Sequence, residues 1–149
     1  MIINFQNKDK ASEIYVHDSV FDGYVYDYSK RQMVMTCENY YLKKTFSFTF
    51  KNVIFSSMQS CLFWGSGYNI LDISVEEGTK EKEYLMNMQY QNTELYKGSF
   101  LDMGIDFIEI RFSINSGDDL LIICESFVYE EEELSEDKVQ KYIKKYGFV

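Results

Sequence analysis

Apolar and polar residues alternate with a period of two along much of this chain, and that period predicts strands. The clearest run is Thr45, Phe46, Ser47, Phe48, Thr49, Phe50, where three phenylalanines share one face and three hydroxyl residues the other. Such a segment is a half-buried antiparallel strand. Upstream, Tyr24, Tyr26 and Tyr28 fall on one face of an extended segment, with Gly23, Val25 and Asp27 on the other. After the turn Ser29, Lys30, Arg31, the residues Met33, Met35 and Cys37 alternate with Val34, Thr36 and Glu38 as the return strand of a hairpin. Downstream, Ile108, Ile110, Phe112 and Ile114 alternate with Glu109, Arg111 and Ser113 before the turn Asn115, Ser116, Gly117, Asp118. Their partner is expected as one strand over residues 120 to 129, with Ile122, Cys124 and Val128 on a shared face. Residues 70 to 75 read as a further short strand.

The period changes near the C-terminus, where Val139, Tyr142, Ile143 and Tyr146 recur at the spacing of an amphipathic helix. Ser135 is placed as N-cap, Leu134 and Val139 can form a hydrophobic staple, and Glu136 and Asp137 occupy the first turn. Lys141, Lys144 and Lys145 complement the far end before Gly147, while Lys138 stands where a capping-box acid would be. Residues 80 to 97 fit either period, and their richness in Glu, Lys, Leu, Met and Gln favours a second helix. The expected fold is mainly β, α+β at its margin: a twisted antiparallel sheet, folded as a sandwich or partial barrel, with the terminal helix covering an edge or open face. With no proline, low-complexity linker or repeat, residues 1 to 149 are expected to form a single compact domain.

Composition sharpens this picture. A hydrophobic content of 46% and an aromatic content of 17% can fill one sizeable core. Residues 1 to 75 carry 7 basic and 7 acidic side chains, whereas residues 76 to 149 carry 8 and 17, so the net charge of -9 lies in the second half. Such a surface repels phosphate backbones and speaks against nucleic-acid binding. Its electrostatic complement is a basic protein partner. Cys37, Cys61 and Cys124 are odd in number and lie among apolar neighbours, as reduced, buried thiols of a cytoplasmic protein do. No signal-peptide core and no apolar run long enough to span a membrane is present, which again leads to the expectation of a cytoplasmic location.

Candidate chemistry is sparse. His17 is the one histidine, followed by Asp18 and Ser19. In an extended segment His17 and Ser19 point one way and Asp18 the other, so the three cannot form a relay by themselves. The structural role is a corner tie, with Asp18 or Ser19 on nearby amides and the His17 ring on a neighbouring loop; the functional role is part of a binding surface. A Cys61–His17 pair lacks a third orienting group, paired zinc ligands are absent, and Gly65, Ser66, Gly67 lack the setting of a nucleotide loop. No catalytic, metal or cofactor site is therefore assigned. Glu130, Glu131, Glu132 and Glu133 read either as a surface offered to a basic partner or as a solvated lead-in to the helix. Tyr24, Tyr26 and Tyr28 read either as a recognition stripe or as packing residues.

His17, Asp18, Ser19, then Gly23 with Tyr26 and Asp27, the Met58, Gln59, Ser60, Cys61 and Phe63, Trp64, Gly65 stretch, Ile70, Leu71, Asp72, and Ser116, Gly117, Asp118 form a set of short motifs. In these the chain resembles a group of small, uncharacterised bacterial proteins that open with His-Asp-Ser or His-Asp-Ala, some of them assigned as immunity proteins of polymorphic toxin systems. The resemblance implies a fold and a non-enzymatic role and carries no active site. The expected function is a cytosolic binding protein that occludes a toxin through its acidic half and exposed tyrosines. The alternative is a small-molecule module with an aromatic-lined pocket and Trp64 at its mouth.

Overall fold

The structure is a computed structural model and describes residues 1 to 59, 68 to 78 and 104 to 147. The expected second helix at 80 to 97, along with Cys61, Phe63, Trp64, Gly65, Ser66 and Gly67, lies outside the described residues. The strands are β1 (Ile2–Asn4), β2 (Val20–Asp27), β3 (Gln32–Asn39), β4 (Lys44–Lys51), β5 (Phe55–Gln59), β6 (Ile70–Glu77), β7 (Ile108–Ile114), β8 (Asp119–Cys124) and β9 (Ser126–Glu133), followed by helix α1 (Glu136–Tyr146). A 3-10 segment, Phe5–Glu13, follows β1 and is capped by the Asn4 side chain, which accepts from the amides of Gln6 and Asn7. Periodicity gave no sign of it.

The fold is mainly β, as expected: two antiparallel sheets, ordered β1-β9-β4-β3-β2 and β5-β8-β7-β6, face each other without closing into a barrel. Each contributes its apolar face to one core. Phe46, Phe48 and Phe50 of β4 lie beside Met33, Met35 and Cys37 of β3, all buried. From the other sheet Ile108, Ile110 and Phe112 of β7 and Leu120, Ile122 and Cys124 of β8 meet them. The Phe112 ring stands edge-on to Phe48, with centroids 5.2 Å apart.

One expectation fails here. Residues 120 to 129 do not form a single strand, because the chain leaves one sheet at Cys124 and enters the other at Ser126. Leu120, Ile122 and Cys124 face the core before the corner, and Phe127 and Tyr129 after it, so the alternation slips by one residue at Glu125 and Val128 turns away. The opposing chain turns the same corner between β4 and β5 at Asn52, in the left-handed region at φ 53. The Asn52 amide donates to the Glu125 carboxylate across the two corners.

α1 begins as expected. The Ser135 side chain accepts from the Lys138 amide, Leu134 and Val139 are buried on either side of the first turn, and Gly147 closes the helix at φ 92. Its inner side lies over one corner of the five-stranded sheet, where Tyr142 stacks on Tyr40 with centroids 3.8 Å apart.

Candidate functional site

The His-Asp-Ser run forms a turn rather than an extended segment. Asp18 takes φ 64, which brings its carboxylate Oδ2 to 2.9 Å from His17 Nδ1 instead of to the opposite side. Both side chains are about half exposed, and the histidine ring ties no neighbouring loop among the described residues. The tie is made from the other direction. Asn39, buried at the end of β3, donates through Nδ2 to the His17 carbonyl (2.9 Å) and to Ser19 Oγ (3.4 Å), while its Oδ1 accepts from the Leu42 amide (2.8 Å). Ser19 is fully buried and so is removed from any relay with His17.

The tyrosine stripe is divided. Tyr24 and Tyr26 sit opposite Met35 and Met33 and share the inner face of the sheet; Tyr26 packs against the core, whereas Tyr24 stands partly exposed on the edge strand. Tyr28 lies beyond β2 in the turn, which Asp27 organises by accepting from Ser29 and Lys30. Its ring meets Tyr26 edge-on at 4.6 Å.

Glu130, Glu131, Glu132 and Glu133 are all exposed ahead of the helix, and they are strand. They form the second half of β9, registered against Ser47, Phe46, Thr45 and Lys44 of β4. Lys44 pairs with Glu131 at 3.1 Å, and the Tyr129 hydroxyl donates to the same carboxylate at 2.8 Å. The Tyr129 bond, joined by Lys44, holds Glu131 below the ordinary carboxylate value. Among the described residues none forms an ion pair with Glu130, Glu132 or Glu133. Glu13 and Met1 complete an open recess of about 560 Å³ beside this strand.

A second concavity, about 500 Å³, lies between α1 and the corner where β2, β3 and the start of β6 meet. Lys138 reaches Glu38 at 2.6 Å, and the Tyr40 hydroxyl donates to the other oxygen of that carboxylate, also at 2.6 Å. Burial pushes the Glu38 carboxyl up, but these two bonds outweigh it and leave the group below its ordinary value. The same contact raises the Lys138 ammonium. Tyr142 is followed around the helix by Tyr146, 4.7 Å between centroids, and Tyr146 meets Tyr68 hydroxyl to hydroxyl at 3.5 Å. Their shared bond pushes Tyr68 up to about 12 and draws Tyr146 down, with Lys145 adding to the latter.

This cleft was not legible from the pattern of the sequence. Tyr142 and Tyr146 carried the signal of an apolar helix face, and nothing linked them to Tyr40, Tyr68 or Asp22. The tyrosine stripe and the glutamate run are not brought together either: Phe46, opposite Glu131, and Met33, opposite Tyr26, lie at different ends of the same sheet. Among the described residues no cluster of His, Cys, Asp and Glu could hold a metal ion, and no helix is long and apolar enough to cross a membrane. A scan against protein-family models finds no match to this chain, and a search of curated proteins finds none. The resemblance to the His-Asp-Ser proteins therefore rests on its short motifs alone.

Proposed function

We propose that this protein is a non-enzymatic binding protein of the cytoplasm that occludes a basic protein partner, such as a toxin, through the acidic half of β9. The observation that carries this reading is the registration of Glu130, Glu131, Glu132 and Glu133 on β4. A paired strand holds its carboxylates at set spacing before any partner arrives, so little ordering entropy is lost on binding. Three of the four lack an ion-pair partner among the described residues, and Glu13 lines the recess together with Glu130, Glu131 and Glu132. Complementary charge of this kind accelerates encounter and sets orientation.

Two features favour binding over catalysis. Burial raises the Cys37 thiol to about 12 and pushes Cys124 up as well, so neither supplies a thiolate near neutral pH. Ser19 Oγ is engaged by Asn39, not by the histidine two residues before it. The resemblance to immunity proteins adds a toxin as the kind of partner to test.

The experiment is protection from lethality. Co-expression with each product of the flanking genes is expected to restore growth for one of them, and E130Q/E132Q/E133Q is expected to lose that protection while remaining folded. No protection by the wild type overturns the function. Protection that survives the triple substitution overturns the surface.

A further inference from the structure

We propose that the cleft under α1 is a binding site for a small organic anion that carries a planar ring, of the aryl phosphate or aryl carboxylate kind. This site is separate from the acidic strand and does not depend on the reading given to it. Its size is that of a small-molecule pocket, about 500 Å³. Three parts of the chain build it: the β2–β3 corner, Tyr68 just before β6, and the inner side of α1.

The donors and acceptors facing the cleft do not balance. Glu38 is already engaged on both oxygens by Lys138 and Tyr40. Spare donors remain. Among the described residues Lys141 pairs with Asp137 one turn back, in an exposed pair that is readily exchanged. Lys145 lies over the Tyr146 ring, 5.0 Å from its centroid. With Lys138 these lysines occupy positions i, i+3 and i+7 of α1, so one side of the helix presents all three to the cleft. A chain of net charge -9 thus gathers three ammonium groups on one side of this cleft, each with N–H donors to spare, and an acceptor-rich, anionic group is what they can bind.

The ring requirement comes from Tyr68 and Asp22. Tyr68 is 39% exposed and, among the described residues, meets the other tyrosines through its hydroxyl, so it offers ring surface for stacking. Asp22 is the one carboxylate lining the cleft without a hydrogen bond among the described residues. It repels a ligand that is anionic all round and selects one whose charge sits at the lysine end. Desolvation, together with Glu38, raises this carboxyl, although the residue remains exposed.

Titration followed by backbone amide NMR tests the site, with phenyl phosphate as probe and inorganic phosphate and benzamidine as controls. Phenyl phosphate is expected to give saturable shifts at Tyr68 and along Lys141 to Tyr146, below about 20 mM. The double variant K141Q/K145Q should weaken it by about tenfold or more while amides elsewhere keep their positions. Tyr68→Leu should weaken phenyl phosphate but not inorganic phosphate. Absence of saturation, equal response to inorganic phosphate, tighter binding of benzamidine, or an unchanged affinity in the double variant would each overturn the proposal.

Discussion

A single buried amide holds the corner at which the chain enters β2. Asn39 makes three hydrogen bonds there, and removing it takes the His17 carbonyl's and the Leu42 amide's side-chain partner away and leaves the buried Ser19 hydroxyl with Cys37 alone. Asn39→Ala is expected to lower unfolding free energy by about 1 to 3 kcal/mol in urea titrations. His17→Ala, whose ring is half exposed, should stay within about 0.5 kcal/mol. A reversed order would return the tie to the histidine ring. The sequence drew attention to His17 because its residue type is rare; Asn39 resembles any turn-flanking polar residue, and its partner lies 22 positions away. Cysteine burial, by contrast, could be read from apolar neighbours. Cys37 and Cys124 are buried, and both should resist a disulfide-exchange reagent at about pH 8 until the protein is unfolded.

At the level of elements, two features join the parts. The first is the double corner, where Asn52 combines a left-handed backbone with a side-chain bond to Glu125. Asn52→Gly removes only the bond, whereas Asn52→Ala also strains the backbone, so alanine should cost about 1 kcal/mol more than glycine in denaturant melts. The second is the attachment of α1 through Lys138 and Glu38. Glu38 lies below its ordinary value of 4.5, so its contribution is complete above that value and is lost as pH falls through the lower, folded value. Lys138 is raised above 10.5, so its side of the pair is fully present below that value and is lost only as pH rises through the folded value. Stability measured from about pH 6 to pH 3 should therefore fall less steeply in Glu38→Gln than in the wild type. Equal slopes would show that the pair adds nothing to α1. The helix itself was legible because its cap, staple and terminal lysines are local signals; the corner was not, since a strand that changes sheets keeps its composition and only shifts its phase.

For the whole molecule, the distribution of charge separates two surfaces with opposite preferences: the carboxylates of β9 and the lysines of α1. Binding of a basic partner to the first should weaken as salt rises, and E130Q/E132Q/E133Q should flatten that dependence, measurable as association rates across ionic strength. Sequence by itself determined the mainly β class, the two hairpin turns, the inward faces of β3, β4 and β7, and the capped terminal helix. Those properties follow from periodicity and caps, which act between residues a few positions apart. Only the tertiary structure decided that the glutamate run is a strand, that the tyrosine stripe divides between core, edge and turn, and that Tyr40, Tyr68, Tyr142 and Tyr146 meet. Each of these depends on which distant segment lies alongside, and β pairing over long separations leaves no local trace in the order of residues.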